Sequence, residues 1–110
     1  VATSYKILGQ AALTDNVDTT IYTVPAATQA VVSTISICNQ SASAMLFKIA
    51  FRPSADATTT AKHYFASNAA LDPYTTFAAT IGATLAAGDK VIVSSSTVSG
   101  SVSVFGSEIA

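Results

Sequence analysis

Thr19–Asn39, TTIYTVPAATQAVVSTISICN, reads as two β-strands joined at a tight corner, Val24-Pro25-Ala26-Ala27-Thr28. In its second half Val31, Ser33, Ile35 and Ile37 alternate with Val32, Thr34, Ser36 and Cys38, the period of two that a strand imposes on its faces. This stretch is expected at the centre of a β-sandwich.

Towards the C-terminus, Asn39–Ser43 is a turn by composition. It leads into Ala44–Arg52, AMLFKIAFR, the clearest strand in the chain. Met45, Phe47, Ile49 and Phe51 share one face, and Ala44, Leu46, Lys48, Ala50 and Arg52 the other. Pro53 ends that strand and Ser54–Thr60 is a small-residue loop. Lys62–Ser67 reads as a short strand with His63 and Tyr64 on opposite faces, and Asn68–Pro73 as a turn. Tyr74–Ile81 follows as a strand with Phe77, Ala79 and Ile81 on one face. Gly88 in Ala86–Asp89 offers the positive φ of a tight hairpin into Lys90–Ser94, and Val98–Ile109 closes the chain. Towards the N-terminus, Ser4–Gln10 is a strand and Ala11–Asp18 a loop. Eight short strands at this spacing, without helix or internal repeat, predict an all-β antiparallel sandwich: a jelly roll first, an immunoglobulin-like sandwich second.

The 110 residues fit one domain, 1–110, with room for a real core. Charged residues make up 10% and apolar ones 50%, with a mean hydropathy of +0.49. A freely soluble monomer ordinarily carries about a quarter charged residues, so part of this surface is expected to be covered by copies of the chain or by a partner. The net charge of −1 and the spread of Lys6, Lys48, Arg52, Lys62 and Lys90 along the chain argue against nucleic acid as partner. The one cysteine, Cys38, can form no disulfide within the chain, which is compatible with cytosolic synthesis. No apolar run approaches the roughly 18 residues of a membrane span, and VATSYKILGQ lacks the pattern of a signal peptide. The start at Val1 fits either a removed initiator Met or a processed precursor.

Chemistry-bearing residues are few. His63 and Cys38 lie in different strands with no reactive-cysteine motif around either, and two N/S donors fall short of the three or four that zinc requires. Asp15, Asp18, Asp56, Asp72, Asp89 and Glu108 fall mostly at turns, where Asp is favoured by local hydrogen bonding. Asp15-Asn16-Val17-Asp18 supplies oxygen donors but not the spacing of a calcium loop, and reads as a solvated turn. Asn39-Gln40-Ser41 has the N-glycosylation pattern and also reads as a turn. No catalytic, cofactor-binding or metal residue is therefore expected. Sugar binding needs only an exposed aromatic beside amides, for which Tyr5 or Tyr64 with Asn68 are the candidates; Tyr22 and Tyr74 look packable.

The segments Ile21–Ala26 (IYTVPA), Cys38-Asn39, Phe47–Pro53 (FKIAFRP), Lys62-His63-Tyr64, Thr84–Asp89 (TLAAGD) and Phe105–Glu108 (FGSE) together resemble small structural proteins of tailed bacteriophages, particularly of aquatic and cyanobacterial hosts. The resemblance spans nearly the full length and implies a non-enzymatic virion component. The role it best fits is a capsid decoration or cement protein on the shell of the major capsid protein. It implies a place on the virion capsid surface after synthesis in the host cytoplasm, with no membrane partner. A tail, baseplate or fibre component, or a host-glycan-binding module, is the alternative. It transfers no functional residues.

Two structural expectations follow. Met45, Phe47, Ile49 and Phe51 should be buried with Ile35, Ile37 and Phe77, while Lys48 and Arg52 reach solvent or a neighbouring chain. Val98–Phe105, without charge or proline, and Lys90–Ser94, with one lysine, should be poorly guarded sheet edges. Such edges predict a homo-oligomer, and the resemblance to virion proteins implies that it is a trimer, with contacts through the C-terminal segment or the Ser54–Thr60 loop.

Overall fold

A computed structural model describes residues 2–13, 17–96 and 100–110. Eight strands run in the order β1 Thr3–Ala12, β2 Thr19–Thr23, β3 Gln29–Asn39, β4 Met45–Arg52, β5 Tyr64–Leu71, β6 Thr76–Leu85, β7 Lys90–Ser95 and β8 Gly100–Ile109. They form two four-stranded antiparallel sheets, sheet A in the order β1-β8-β3-β6 and sheet B in the order β2-β7-β4-β5. The pairings nest: β1 with β8, β2 with β7, β3 with β6, β4 with β5. The chain is in effect one long hairpin with its tip between β4 and β5, rolled up so that β3 also meets β8 and β4 also meets β7. That is the jelly roll, and the immunoglobulin-like alternative is set aside.

This order overturns the expected edges. β8 lies between β1 and β3, and β7 between β2 and β4, so both supposed edges are interior strands with partners on each side. Their scarcity of charge reflects that burial; Val98 itself lies outside the described residues. The edges are β1 and β6 in sheet A and β2 and β5 in sheet B.

Both tight corners also join sheets rather than neighbouring strands. Residues 24–28 carry the chain from sheet B to sheet A, and Ala86–Asp89 carries it back. The second is a β-turn closed from the Asp89 N–H to the Ala86 carbonyl, with Gly88 at φ +86°, so the positive φ is present but the hairpin is not. The corners brace each other: the Val24 N–H donates to the Asp89 carbonyl and the Gly88 N–H to the Val24 carbonyl, both at 2.9 Å.

Alternation in β3 holds as expected from Ile35 through Ile37 but reverses on the N-terminal side of Ser33. The pairings with β6 and β8 both shift register between Val32 and Thr34, so Val32 joins Ile35 and Ile37 in the core while Val31 turns outward. Strand β6 takes up the same irregularity at Ile81–Gly82, where Gly82 adopts φ +111°. It runs on to Leu85, four residues past the expected end. Strand β5 begins later and ends later than expected. Ala61–His63 forms a 3₁₀ turn instead of the start of a strand, and Asn68, expected in a turn, stays in the strand at φ +53°.

Between the sheets lie Val32, Ile35 and Ile37 from β3, Met45, Phe47 and Ile49 from β4, Val91 and Val93 from β7, and Val102 and Val104 from β8. Phe47 is 1% exposed, with its ring centroid 4.9 Å from that of Phe77. Phe51 and Phe77 are half-buried at the margin of this core, less enclosed than expected, because β4 ends with Arg52 and β6 is an edge. Asn39 is buried at the end of β3, where its Nδ2 donates to the carbonyls of Ser43, Leu71 and Asp72 and its Oδ1 accepts from the Ser41 N–H and hydroxyl. A side chain so committed is closed to glycosylation in the folded protein, and it ties β3 to the end of β5.

Candidate functional site

The sequence candidates for chemistry do not converge. Cys38 sits on the outer side of sheet A, level with Ser101 and Thr76, while His63 precedes β5 in the other sheet. Among the described residues no three His, Cys, Asp or Glu side chains come together as a metal site. Asp15 and Asn16 of the suspected oxygen cluster lie outside those residues.

His63 has a definite local task. It is buried, its Nδ1 accepts from the Thr60 N–H at 2.9 Å, and its Nε2 meets Asp56 Oδ2 at 2.7 Å. An acceptor at Nδ1 fixes the proton on Nε2, which then donates to Asp56. This hydrogen bond, with Lys62 at 3.5 Å, holds the Asp56 carboxyl below the usual carboxylate range. The three residues clasp the Ser54–Thr60 loop onto the sandwich, which is a structural function.

A second polar group lies at one end of the interior. Lys6, Gly106 and Val32 are level across β1, β8 and β3, and Ser4, Glu108 and Ala30 form the next inward row. Glu108 Oε1 takes Lys6 Nζ at 2.6 Å, and Glu108 Oε2 accepts from the Tyr22 hydroxyl of sheet B. Hydrogen bonds from Lys6 and then Tyr22 pull the Glu108 carboxyl below its ordinary value. Burial, reinforced by Glu108, pushes the Tyr22 phenol well above its own. Tyr22 is packed, as its sequence context indicated; Tyr74 is 72% exposed, contrary to expectation, because it sits in the β5–β6 turn at φ +53°. The Lys6–Glu108–Tyr22 chain pins the two sheets together.

What remains are the two outer faces, and they differ sharply. On sheet A the outward rows read Ala12–Ser101–Cys38–Thr76, Gln10–Ser103–Ser36–Ala78, Ile7–Phe105–Thr34–Thr80 and Tyr5–Ser107–Val31–Thr84. No row contains a charge. Hydroxyls and small side chains cover one half; Tyr5 at 85% exposure, Ile7 at 52% and Phe105 at 37% form an apolar ridge on the other.

On sheet B the outward rows are Thr23–Lys90–Arg52, Thr20–Ile92–Ala50–Tyr64, Ser94–Lys48 and Leu46–Ala70. Three of the five cations that look scattered in sequence share this face, and none of its four strands carries an acid. Arg52 and Lys90 are direct cross-strand neighbours. Lys48 Nζ lies 5.8 Å from the centre of the Tyr64 ring. The parity of Lys48 and Arg52 in β4 was visible in the sequence; the arrival of Lys90 beside them required the strand order. Tyr64, half-buried, meets Lys48, and Asn68 borders the same hollow as Lys48. Tyr5 lies on the opposite sheet, away from Asn68.

No protein-family model matches the sequence, and no curated protein matches it.

Proposed function

We propose that the chain is a non-enzymatic virion structural protein of a tailed bacteriophage, a capsid decoration or cement protein that docks on the major capsid protein shell through the outer face of sheet A. The observation that carries this reading is the absence of charge from every outward row of that face. Lone charges buried at an interface without partners are costly, so a face free of them can be covered without penalty. The sequence resemblance to phage structural proteins points the same way.

Four strands about 4.8 Å apart and ten residues at about 3.3 Å each give a footprint of roughly 600 Å². A stable complex buries about 800 Å² per partner. One copy is thus a weak binder, and several linked copies gain by avidity. A homo-oligomer, a trimer in a cement role, is accordingly part of the proposal. The longest uncharged edge available for it is β6, TFAATIGATL, which also lacks proline and is interrupted at Gly82.

The test is binding of the purified protein to capsids that lack it. Ser103→Lys places a charge in the middle of the sheet A face at small cost to the fold, and should abolish binding while leaving the melting temperature nearly unchanged. Copy number separates the runner-up: cementing requires on the order of hundreds of copies per particle, whereas a tail, baseplate or fibre component occurs in a small cyclic number.

A further inference from the structure

Among the described residues the cations of sheet B, on the side of the sandwich opposite the proposed shell contact, have no counter-ion of their own. Arg52 and Lys90 face each other directly across β4 and β7, an arrangement of like charges that costs stability when nothing lies between them. Arg52 Nη1 donates to the neutral Thr59 hydroxyl, and its buried Nε finds no partner among the described residues. Among the described residues neither Lys48, Arg52 nor Lys90 enters an ion pair, whereas Lys6 and Lys62 both do. Lys48 lies four residues along β4 from Arg52, about 13 Å away.

Between these two positive positions runs the row Thr20–Ile92–Ala50–Tyr64. Ile92 and Ala50 are buried although they point away from the core, and the long side chains of their same-face neighbours are the groups placed to cover them. Beside Lys48 a hollow of about 140 Å³ is bordered by Leu46, Asn68, Ser94, Ser96 and Asp18. That is room for about five water molecules, the scale of one sugar ring, and far below a pocket that encloses a whole ligand.

We propose that the outer face of sheet B binds an acidic polysaccharide of uronate type, with one sugar ring in the hollow beside Lys48 and successive carboxylates at Lys48 and at the Arg52–Lys90 pair. The positive charge is sparse and separated by hydroxyl, amide and aromatic groups, which matches a polymer whose carboxylates alternate with neutral hydroxyls. A nucleic acid, with a phosphate at every residue, calls for a denser array. On this face, among the described residues, an acidic peptide would find no deep apolar pocket to anchor a side chain. Asp18 at the rim accepts from sugar hydroxyls and repels a carboxylate, which directs the acid group towards Lys48.

The experiment is a binding titration of the whole protein on immobilised polygalacturonate, with its fully methyl-esterified form, poly-glutamate and single-stranded DNA in parallel. The protein should be retained on polygalacturonate and released by salt, and it should bind the ester, poly-glutamate and DNA much more weakly. Lys48→Gln and Lys90→Gln should each weaken retention, and the combination with Arg52→Gln should lower affinity about tenfold or more. Lys62→Gln, off this face, should change nothing. If Arg52→Gln disturbs the fold, as a shifted melting temperature would show, the Lys48→Gln/Lys90→Gln pair carries the test. Lack of binding to polygalacturonate, equal binding to poly-glutamate or DNA, or unaltered binding by the folded variants would each overturn the proposal. All these residues lie opposite the sheet A face, so failure here leaves shell docking untouched.

Discussion

Phe47→Ala removes the largest fully buried side chain of the core. Its cross-strand neighbours on the inward face are Ser95 of β7 and Ala69 of β5, both too small to swing into the space. Among the described residues Phe77 is the aromatic ring in contact with it, and β3 holds its strand in register on one side. Collapse around the cavity is therefore limited, and the loss belongs to the usual phenylalanine-to-alanine range of about 3–5 kcal/mol. For 110 residues the unfolding entropy is roughly 230 cal/mol/K, so the melting temperature should fall by about 13–22 °C. Denaturant titration gives the free energy directly, and a domain of this kind has only about 5–15 kcal/mol to lose. Phe105→Ala is the internal control: that ring is 37% exposed on the outside of sheet A and its removal should cost less than about 1 kcal/mol. If the two variants lost similar stability, the assignment of inward and outward faces would be refuted.

Asn39→Ala should cost about 2 kcal/mol in the same titration, since it removes the donor to the Ser43, Leu71 and Asp72 carbonyls and the acceptor for Ser41; a neutral result would deny Asn39 its part in joining β3 to β5. Glu108→Gln should destabilise most near neutral pH. The folded Glu108 carboxyl is depressed, so its contribution is full above the unfolded value and disappears as pH falls through the folded one. Melting curves of both proteins should then converge in acid, and a constant gap would exclude the Lys6–Glu108–Tyr22 tie as its origin. Asp56→Asn should loosen only the Ser54–Thr60 loop, read as faster amide exchange at Thr60 and His63 with little change in global stability; wild-type protein should lose the same protection in acid, again because the Asp56 carboxyl is depressed.

Local alternation made the elements readable. Met45, Phe47 and Ile49 announced β4 and its buried side, and the Thr19–Asn39 stretch announced two strands and a corner. Strand order was another matter, because nested pairing depends on contacts between opposite ends of the chain, such as Ile7 with Phe105, which leave no local pattern. The uncharged Val98–Phe105 segment illustrates the consequence. Freedom from charge is equally the mark of an open edge and of a strand with neighbours on both sides, and here it meant the second. The reversal at Ser33 was hidden for a related reason, since a bulge is a property of paired strands rather than of one. Of the candidate surfaces, the uncharged rows of sheet A could be assembled only once four strands were aligned, and Lys90 joined Lys48 and Arg52 only through the β4–β7 pairing.

An electron cryo-microscopy map of capsids carrying the bound protein tests the central claim most directly. The account predicts sheet A against the shell, with Tyr5, Ile7, Ser103 and Phe105 in contact with the major capsid protein and Lys48, Arg52 and Lys90 facing outward. Density for the chain with sheet A turned to solvent, or confined to the tail, would contradict it.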